Sequence, residues 1–143
     1  MRILFILLVL ISFHAKSQQA KVHPESKAIK EVLLRQQKHW NNGHIDSFMN
    51  GYWKSPQLRF VSKRGVSYGW QQVRDNYHRS YPNPEKMGKL QFNFESVESL
   101  GPDKALVIGS WEVNNEDGRL TGWFSLIFQK MKGKWLIIVD HTS

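Results

Sequence analysis

The chain ends in a segment that brings together Asp140 and His141, two residue types that often transfer protons in enzymes. Residues 135–142 alternate as a β-strand does, so neighbouring side chains point to opposite faces of the sheet. Alternation places Asp140 on one face with Leu136, Ile138 and Thr142. It places His141 on the other face with Trp135, Ile137 and Val139. Only a bulge would turn both side chains inward. The sequence therefore predicts one buried proton-transfer group at the end of the last strand.

The chemistry of Asp140 depends on its surroundings. In an apolar enclosure, desolvation would raise the pKa of its carboxyl group and make it a usable general base or acid. The alternatives are an ion pair with Lys or Arg, or a hydrogen bond that holds the end of the strand. On the opposite face, His141 would meet solvent or a second copy of the chain.

Aromatic residues are unusually frequent, with eight Phe, six Trp and four Tyr. This number exceeds the needs of a two-layer core and favours a ring-lined pocket, although each ring could also be ordinary core. Tyr77, one helical turn after Val73, is predicted to hold a substrate oxygen opposite Asp140. The other predicted wall residues are aromatic: Trp111, Trp53, Tyr52 and Phe124.

Composition excludes several classes of site. The chain has no cysteine, which excludes disulfides, thiolate metal sites and a thiol nucleophile. His39, His44 and Asp46 lack the spacing of a metal site, and we predict neither a metal nor a cofactor. The net charge of +8 is spread along the chain, so no nucleic-acid partner is expected. The Gly-x-Ser-x-Gly pattern at residues 65–69 lies in a predicted hairpin and does not suit a nucleophile elbow.

The N-terminus has the pattern of an export signal. Arg2 precedes an apolar run over residues 3–11, and small residues follow near Ser17, where we predict cleavage. The run is shorter than the roughly 20 residues that span a bilayer, so no stable membrane anchor is expected. We therefore predict a signal peptide over residues 1–17, a flexible lead-in over residues 18–27, and a periplasmic or secreted domain over residues 28–143.

The remaining pattern predicts an α+β fold. A helix begins near Ser26, a short second helix near Asp46 and a third at Trp70, with a small hairpin over residues 58–68. The spacing of the first helix predicts one buried face: Ile29, Val32, Leu33, Gln36 and Trp40. Four long strands follow over residues 90–142, separated by turns, and in the second of them every other residue around Val107 shares one face. We expect a cone: a curved antiparallel sheet of about six strands packed against three N-terminal helices.

Four motifs in this order carry a family resemblance: residues 38–48 (KHWNNGHIDSF), residues 69–73 (GWQQV), the step at residues 109–111 (GSW) and residues 133–143 (GKWLIIVDHTS). Together they resemble the SnoaL-like domains of the nuclear-transport-factor-2-like superfamily. They are closest to a branch of unknown function related to the association domain of calcium/calmodulin-dependent kinase. The resemblance covers residues 28–143. It implies a cone that is often dimeric, with an apolar cavity used for isomerisation, cyclisation, dehydration or binding alone.

The resemblance also favours Asp140 over His141. In the kinase association domain a polar residue of the pocket falls where Thr142 lies, on the face that Asp140 shares. We thus expect an exported protein that binds a small apolar or aromatic molecule, with Asp140 as its polar anchor. The alternatives are a cofactor-independent isomerase, dehydratase or cyclase with Asp140 as base, or a homodimeric module. Its interface would be the open sheet face, with the residues Trp123, Ile127 and Trp135.

Overall fold

Four α-helices cover one side of the domain. The computed structural model describes residues 20–143, and the predicted signal peptide lies outside the described residues. The helices are α1 (Ser26–Asn41), α2 (Ile45–Phe48), α3 (Trp70–Ser80) and α4 (Pro84–Met87), and a 3₁₀ turn over Met49–Gly51 continues α2. In the described chain, no helix has the length and apolar character needed to cross a bilayer. The face of α1 predicted from its periodicity is the buried one: Ile29, Val32, Leu33, Gln36 and Trp40.

Six strands form one curved sheet. They are β1 (Arg59–Ser62), β2 (Gly65–Tyr68), β3 (Lys89–Gly101), β4 (Lys104–Asn115), β5 (Gly118–Met131) and β6 (Lys134–Thr142), and their order across the sheet is β2-β1-β6-β5-β4-β3. The concave face packs against the helices, so the predicted α+β cone is confirmed. One detail differs: β1 and β6 are parallel, with Phe60 opposite Asp140. The small hairpin therefore extends the sheet beside the last strand.

A β-bulge in β6 determines which of its side chains are buried. Ile127 pairs with Val139 and Phe128 pairs with Ile137, which leaves Ile138 as the extra residue. The bulge changes the alternation, so Trp135 and Ile137 are buried on the same side as Asp140. The prediction that Leu136 and Ile138 share the face of Asp140 is therefore wrong. Trp135 is also only 5 % exposed, so it cannot belong to an interface on the outer face as predicted.

The N-terminal segment of the described chain pairs with the edge of the sheet. The His23 N–H donates to the Val97 carbonyl at 3.0 Å, and the Ser99 N–H donates to the Lys21 carbonyl at 2.8 Å. His23 is 2 % exposed and packs edge-on against Trp135, with ring centroids 4.9 Å apart. Part of the predicted lead-in over residues 18–27 is thus hydrogen-bonded to the edge of the sheet. These contacts cover part of the free edge of β3, so fewer of its backbone N–H and C=O groups are exposed.

Candidate functional site

Asp140 lies inside the cone, and His141 lies outside it. On the concave face, Asp140 stands between Phe60 of β1 and Leu126 of β5 and is 4 % exposed. His141 is exposed on the convex face. The bulge at Ile138 precedes both residues, so it does not turn both inward. The chain therefore buries one carboxyl group among apolar side chains.

Hydroxyl groups surround the buried carboxyl. The Tyr52 phenol donates to Asp140 Oδ2 at 2.8 Å, and the Thr142 hydroxyl donates to Oδ1 at 2.5 Å. The Tyr77 hydroxyl lies 3.4 Å from that of Tyr52. Within residues 20–143, Asp140 forms no ion pair. The sequence left two structural alternatives for Asp140, an ion pair and a hydrogen bond at the end of the strand. Among these residues the hydrogen bond is observed and the ion pair is not.

Burial controls the ionisation of this group. Desolvation raises the pKa of Asp140 to about 6, although hydrogen bonds from Thr142 and Tyr52 and the nearby charge of His141 act in the opposite direction. Burial and the charge of Asp140 also raise the pKa of Tyr52 well above its ordinary value, and they raise that of Tyr77. Near neutral pH the site thus combines a carboxyl that ionises there with two phenols that keep their protons.

Tyr52 is positioned by the backbone that follows the 3₁₀ turn. Its extended conformation, with φ −96° and ψ 148°, places it beside β6 in a parallel bridge to Ile137. The Trp53 N–H then donates to the Ile137 carbonyl at 2.9 Å. Successive side chains of an extended segment point in opposite directions, so Trp53 points away from Asp140. The predicted wall thus includes Tyr52 but not Trp53.

Tyr77 holds the centre of an aromatic cluster over the carboxyl. Its ring meets those of Trp40, Phe48 and Phe60 edge-on, with centroids 5.9, 5.2 and 5.9 Å away. It also stacks on Tyr81 at 6.3 Å. Phe60, Tyr77 and Tyr81 are half-buried, so this group reaches the surface. We call these three residues the aromatic mouth.

Aromatic rings pack closely around Asp140. Tyr52 and Tyr77 both pack against Phe48, and Tyr77 also packs against Trp40. Two grooves among the described residues, of about 410 and 430 Å³, are lined by other side chains. The open apolar pocket around the carboxyl therefore stays a prediction.

The two remaining wall residues lie at different distances from the carboxyl. Phe124 is buried, pairs with Thr142 and meets Phe92 edge-on at 5.6 Å. Trp111 stands opposite Gly122 and lines the 410 Å³ groove. Gly122 is four residues along β5 from Leu126, the partner of Asp140, which corresponds to about 13 Å. Phe124 thus belongs with the carboxyl, whereas Trp111 packs against the core farther along the same face of the sheet.

Sequence reasoning missed two participants, Phe60 and Tyr81, and one contact of a third residue, Thr142. Thr142 was placed on the face of Asp140, and the spacing of two residues could have indicated its hydrogen bond to the carboxyl. The sequence near Phe60 and Tyr81 gave no signal of this kind. Only the tertiary fold brings Phe60 opposite Asp140 and stacks Tyr81 on Tyr77. Among residues 20–143, no group of three or more His, Cys, Asp or Glu side chains is placed to hold a metal ion.

Comparison with solved structures identifies the fold family. The chain is 32 % identical to an NTF-2-like protein of unknown function from Shewanella oneidensis. The match covers 83 % of this chain and 98 % of that one, with a TM-score of 0.81. The chain belongs to the NTF2-like superfamily.

Other NTF2-like structures are more distant in sequence. A ketosteroid isomerase-like protein from Erwinia carotovora atroseptica is 15 % identical, with coverage of 84 % of this chain and 95 % of that one and a TM-score of 0.67. A protein from Xanthomonas campestris, described as resembling a calcium/calmodulin-dependent protein kinase II association domain, is 16 % identical, with coverage of 87 % and 92 % and a TM-score of 0.65. No family model matches this NTF2-like chain, and no curated protein matches it.

Proposed function

We propose that this NTF2-like protein binds a small apolar or aromatic molecule that carries a carbonyl or hydroxyl group, at the end of the cone that holds Asp140. The supporting observation is a carboxyl group 4 % exposed whose hydrogen-bond partners are the hydroxyls of Tyr52 and Thr142. An ionised carboxylate in such surroundings costs stability, because no ion pair within residues 20–143 offsets its desolvation. A buried carboxyl group that is present despite this loss of stability is a candidate functional group.

Entry requires the aromatic mouth to open. Helix α3 carries Tyr77, and Tyr81 follows directly after its end. This helix buries only Val73 fully, whereas α1 buries five residues. Moving α3 outward therefore removes less apolar surface from the core than moving α1. An aromatic ligand would replace the ring contacts that are lost when Tyr77 moves. The hydroxyls of Tyr52 and Tyr77 would then bind its oxygen.

A second candidate function is catalysis without a cofactor. Asp140 would remove a proton next to a carbonyl, and a phenol would donate a hydrogen bond to the oxygen. The favouring observation is a carboxyl pKa of about 6 beside two phenols whose pKa values are raised. The similarity to a ketosteroid isomerase-like protein agrees with this class of reaction.

Two further proposals concern the context in which the domain acts. We propose that the protein is exported and that two copies pair through the convex sheet face. Trp123 is 59 % exposed there, and the half-buried Ile127 lies on the same face four residues further along β5. Pairing of the same face in both copies would bury these side chains. A dimer would leave the aromatic mouth on the helix side free for a ligand.

Native mass spectrometry of protein purified from its own host tests the binding proposal. We expect a retained small molecule, which is lost in the Asp140→Asn variant and kept in the matched control His141→Asn, a substitution on the outer face. Retention by both variants, or no bound molecule in any preparation together with no uptake of aromatic ketones or alcohols, would refute the proposal. Turnover of a retained carbonyl compound would favour catalysis.

A further inference from the structure

A cluster of charged side chains joins α2 to α3 on the outside of the aromatic mouth. Arg74 of α3 donates to both carboxylate oxygens of Asp46 in α2, from Nε to Oδ1 at 2.7 Å and from Nη2 to Oδ2 at 3.2 Å. The Nε2 atom of His78, one turn further along α3, lies 2.8 Å from Oδ1. An ionised carboxylate only accepts hydrogen bonds, so this imidazole nitrogen is the donor. We call Asp46, Arg74 and His78 the latch.

The carboxylate of the latch stays charged. The hydrogen bonds from Arg74 and His78 lower the pKa of Asp46 to about 2, although desolvation acts in the opposite direction. The group is therefore ionised from about pH 4 upward. A bidentate contact between a guanidinium and a carboxylate has a defined geometry, because two hydrogen bonds form at once. The latch thus restrains the orientation of α3 against α2 as well as the distance between them.

The first residue of α3 is fixed by other hydrogen bonds. The Trp70 indole donates to the Met49 carbonyl, and the Trp70 backbone N–H donates to the Ser55 carbonyl, both at 3.0 Å. Just before the helix, the Gly69 N–H donates to the Leu58 carbonyl at 2.8 Å. These bonds hold the start of α3 against the 3₁₀ turn and the segment that follows it. An outward movement of α3 would therefore pivot near this end.

The second half of α3 carries Tyr77 and is held by fewer polar contacts. From Arg74 onward, within residues 20–143, this helix has three kinds of polar contact with other elements. One is the latch, one is a hydrogen bond from Asn76 to Ser67 at 3.1 Å, and one is the 3.4 Å contact between the Tyr77 and Tyr52 hydroxyls. The latch is the contact in which opposite charges meet. Tyr77 lies between the two latch residues of α3, so the latch holds the part of the helix from which this ring projects.

We infer that Asp46 is a positioning residue, which through the latch holds Tyr77 beside Tyr52 and sets how often the aromatic mouth opens. The consequence for ligand entry rests on the binding function proposed above, whereas the consequence for the motion of α3 does not. Without the carboxylate, the ring contacts of Tyr77 and the neutral hydrogen bonds remain to keep the mouth closed. The latch is exposed to solvent, so its loss changes the frequency of opening by a modest factor and leaves the fold intact.

Hydrogen–deuterium exchange of the full chain tests this inference, with Asp46→Asn as the variant. Asn keeps the size of the side chain but not its charge, so its contacts with Arg74 and His78 are weaker. We expect the backbone amides of residues 75–81 to exchange roughly two- to fivefold faster, whereas those of α1 keep their rates. The matched control Asp75→Asn removes a carboxylate that bonds only within α3 in the described chain, and it should leave both sets of rates unchanged.

Ligand entry is measured separately, by stopped-flow fluorescence with 2-naphthol as the probe. Its association rate constant should rise by the same factor in Asp46→Asn and stay unchanged in Asp75→Asn, a pattern that a merely structural role would not produce. Unchanged exchange in Asp46→Asn, exchange that is accelerated equally in α1 and α3, or faster exchange with an unchanged association rate would overturn the inference. If 2-naphthol binds none of the three proteins, that result counts against the binding function, and the exchange rates decide the role of the latch.

Discussion

Replacing Asp140 with Asn should change how the stability of the protein depends on pH. Burial raises the pKa of this carboxyl from 3.8 to about 6 in the folded state. Below about pH 4 the group is protonated in both states and has no effect. Between about pH 4 and pH 6 the unfolded chain loses the proton while the folded protein keeps it, so stability falls as pH rises. Above about pH 6 the loss levels off at about 3 kcal/mol.

Urea unfolding of both proteins from pH 4 to pH 7.5 measures this effect. Asn has nearly the same shape as Asp and stays neutral, and its oxygen accepts the Tyr52 hydrogen bond while its NH₂ donates to Thr142. Other titrating groups contribute equally to both proteins, so they cancel in the difference. We expect the stability of the natural chain relative to the Asn variant to fall by about 2.4 kcal/mol over this range, because the remaining ~0.6 kcal/mol is already lost at pH 4.

A difference that stays constant with pH would refute the reasoning, because it would mean that burial leaves the pKa of Asp140 unchanged. A difference that rises with pH would refute it more strongly, since it would require a lowered pKa, with hydrogen bonds and nearby charge outweighing desolvation. Titration of the carboxyl carbon by NMR gives an independent check. Its midpoint should lie near pH 6.

Three further predictions concern other parts of the domain. Asp46→Asn should cost less than about 1 kcal/mol near neutral pH in urea unfolding, because this carboxylate is 62 % exposed and its bond to Arg74 is screened by solvent; the cost should fade as pH falls towards its pKa of about 2. Gly109→Ala should lower stability by about 1–3 kcal/mol in thermal unfolding, since its Cβ would lie 2.3 Å from the Asn93 carbonyl oxygen. Trp123→Glu should convert the proposed dimer to a monomer in sedimentation.

Each of these predictions has a contrary outcome. A cost for Asp46→Asn that grows as pH falls would contradict a lowered pKa for that carboxyl. For Gly109→Ala, unchanged stability would mean that the strands separate locally at little cost, and Ser110→Ala on the opposite face is the control. The dimer proposal would be overturned if the natural chain sedimented as a monomer at high concentration, whatever the variant did.

Local patterns in the sequence predicted much of the fold. The spacing of Ile29, Leu33 and Trp40 predicted the buried face of α1, and alternation around Val107 and Phe124 predicted the inner faces of β4 and β5. These features depend on residues close together in the chain. For such residues the spacing of the apolar side chains alone indicates which face of the helix or strand is buried. The parallel pairing of β1 with β6 could not be predicted in this way, because it joins residues about 80 positions apart.

The candidate site was predictable in its centre but not in its surroundings. The inward orientation of Asp140 followed from its strand position, although the faces of Trp135 and Ile137 were predicted wrongly. The bulge leaves no signal in residues 134–142, which contain neither Gly nor Pro to suggest it. Packing of the aromatic mouth could not be predicted either, because the same ring composition fits an open cavity and a filled one.

The extra residue Ile138 gives β6 a tolerance to the loss of one residue. Deleting it would remove the bulge and leave Val139 opposite Ile127 and Asp140 opposite Leu126, as they are now. With Ile137 still opposite Phe128, regular alternation would keep the carboxyl inside the cone and the imidazole outside. The loss of this one codon would thus preserve the acid–base character of the interior.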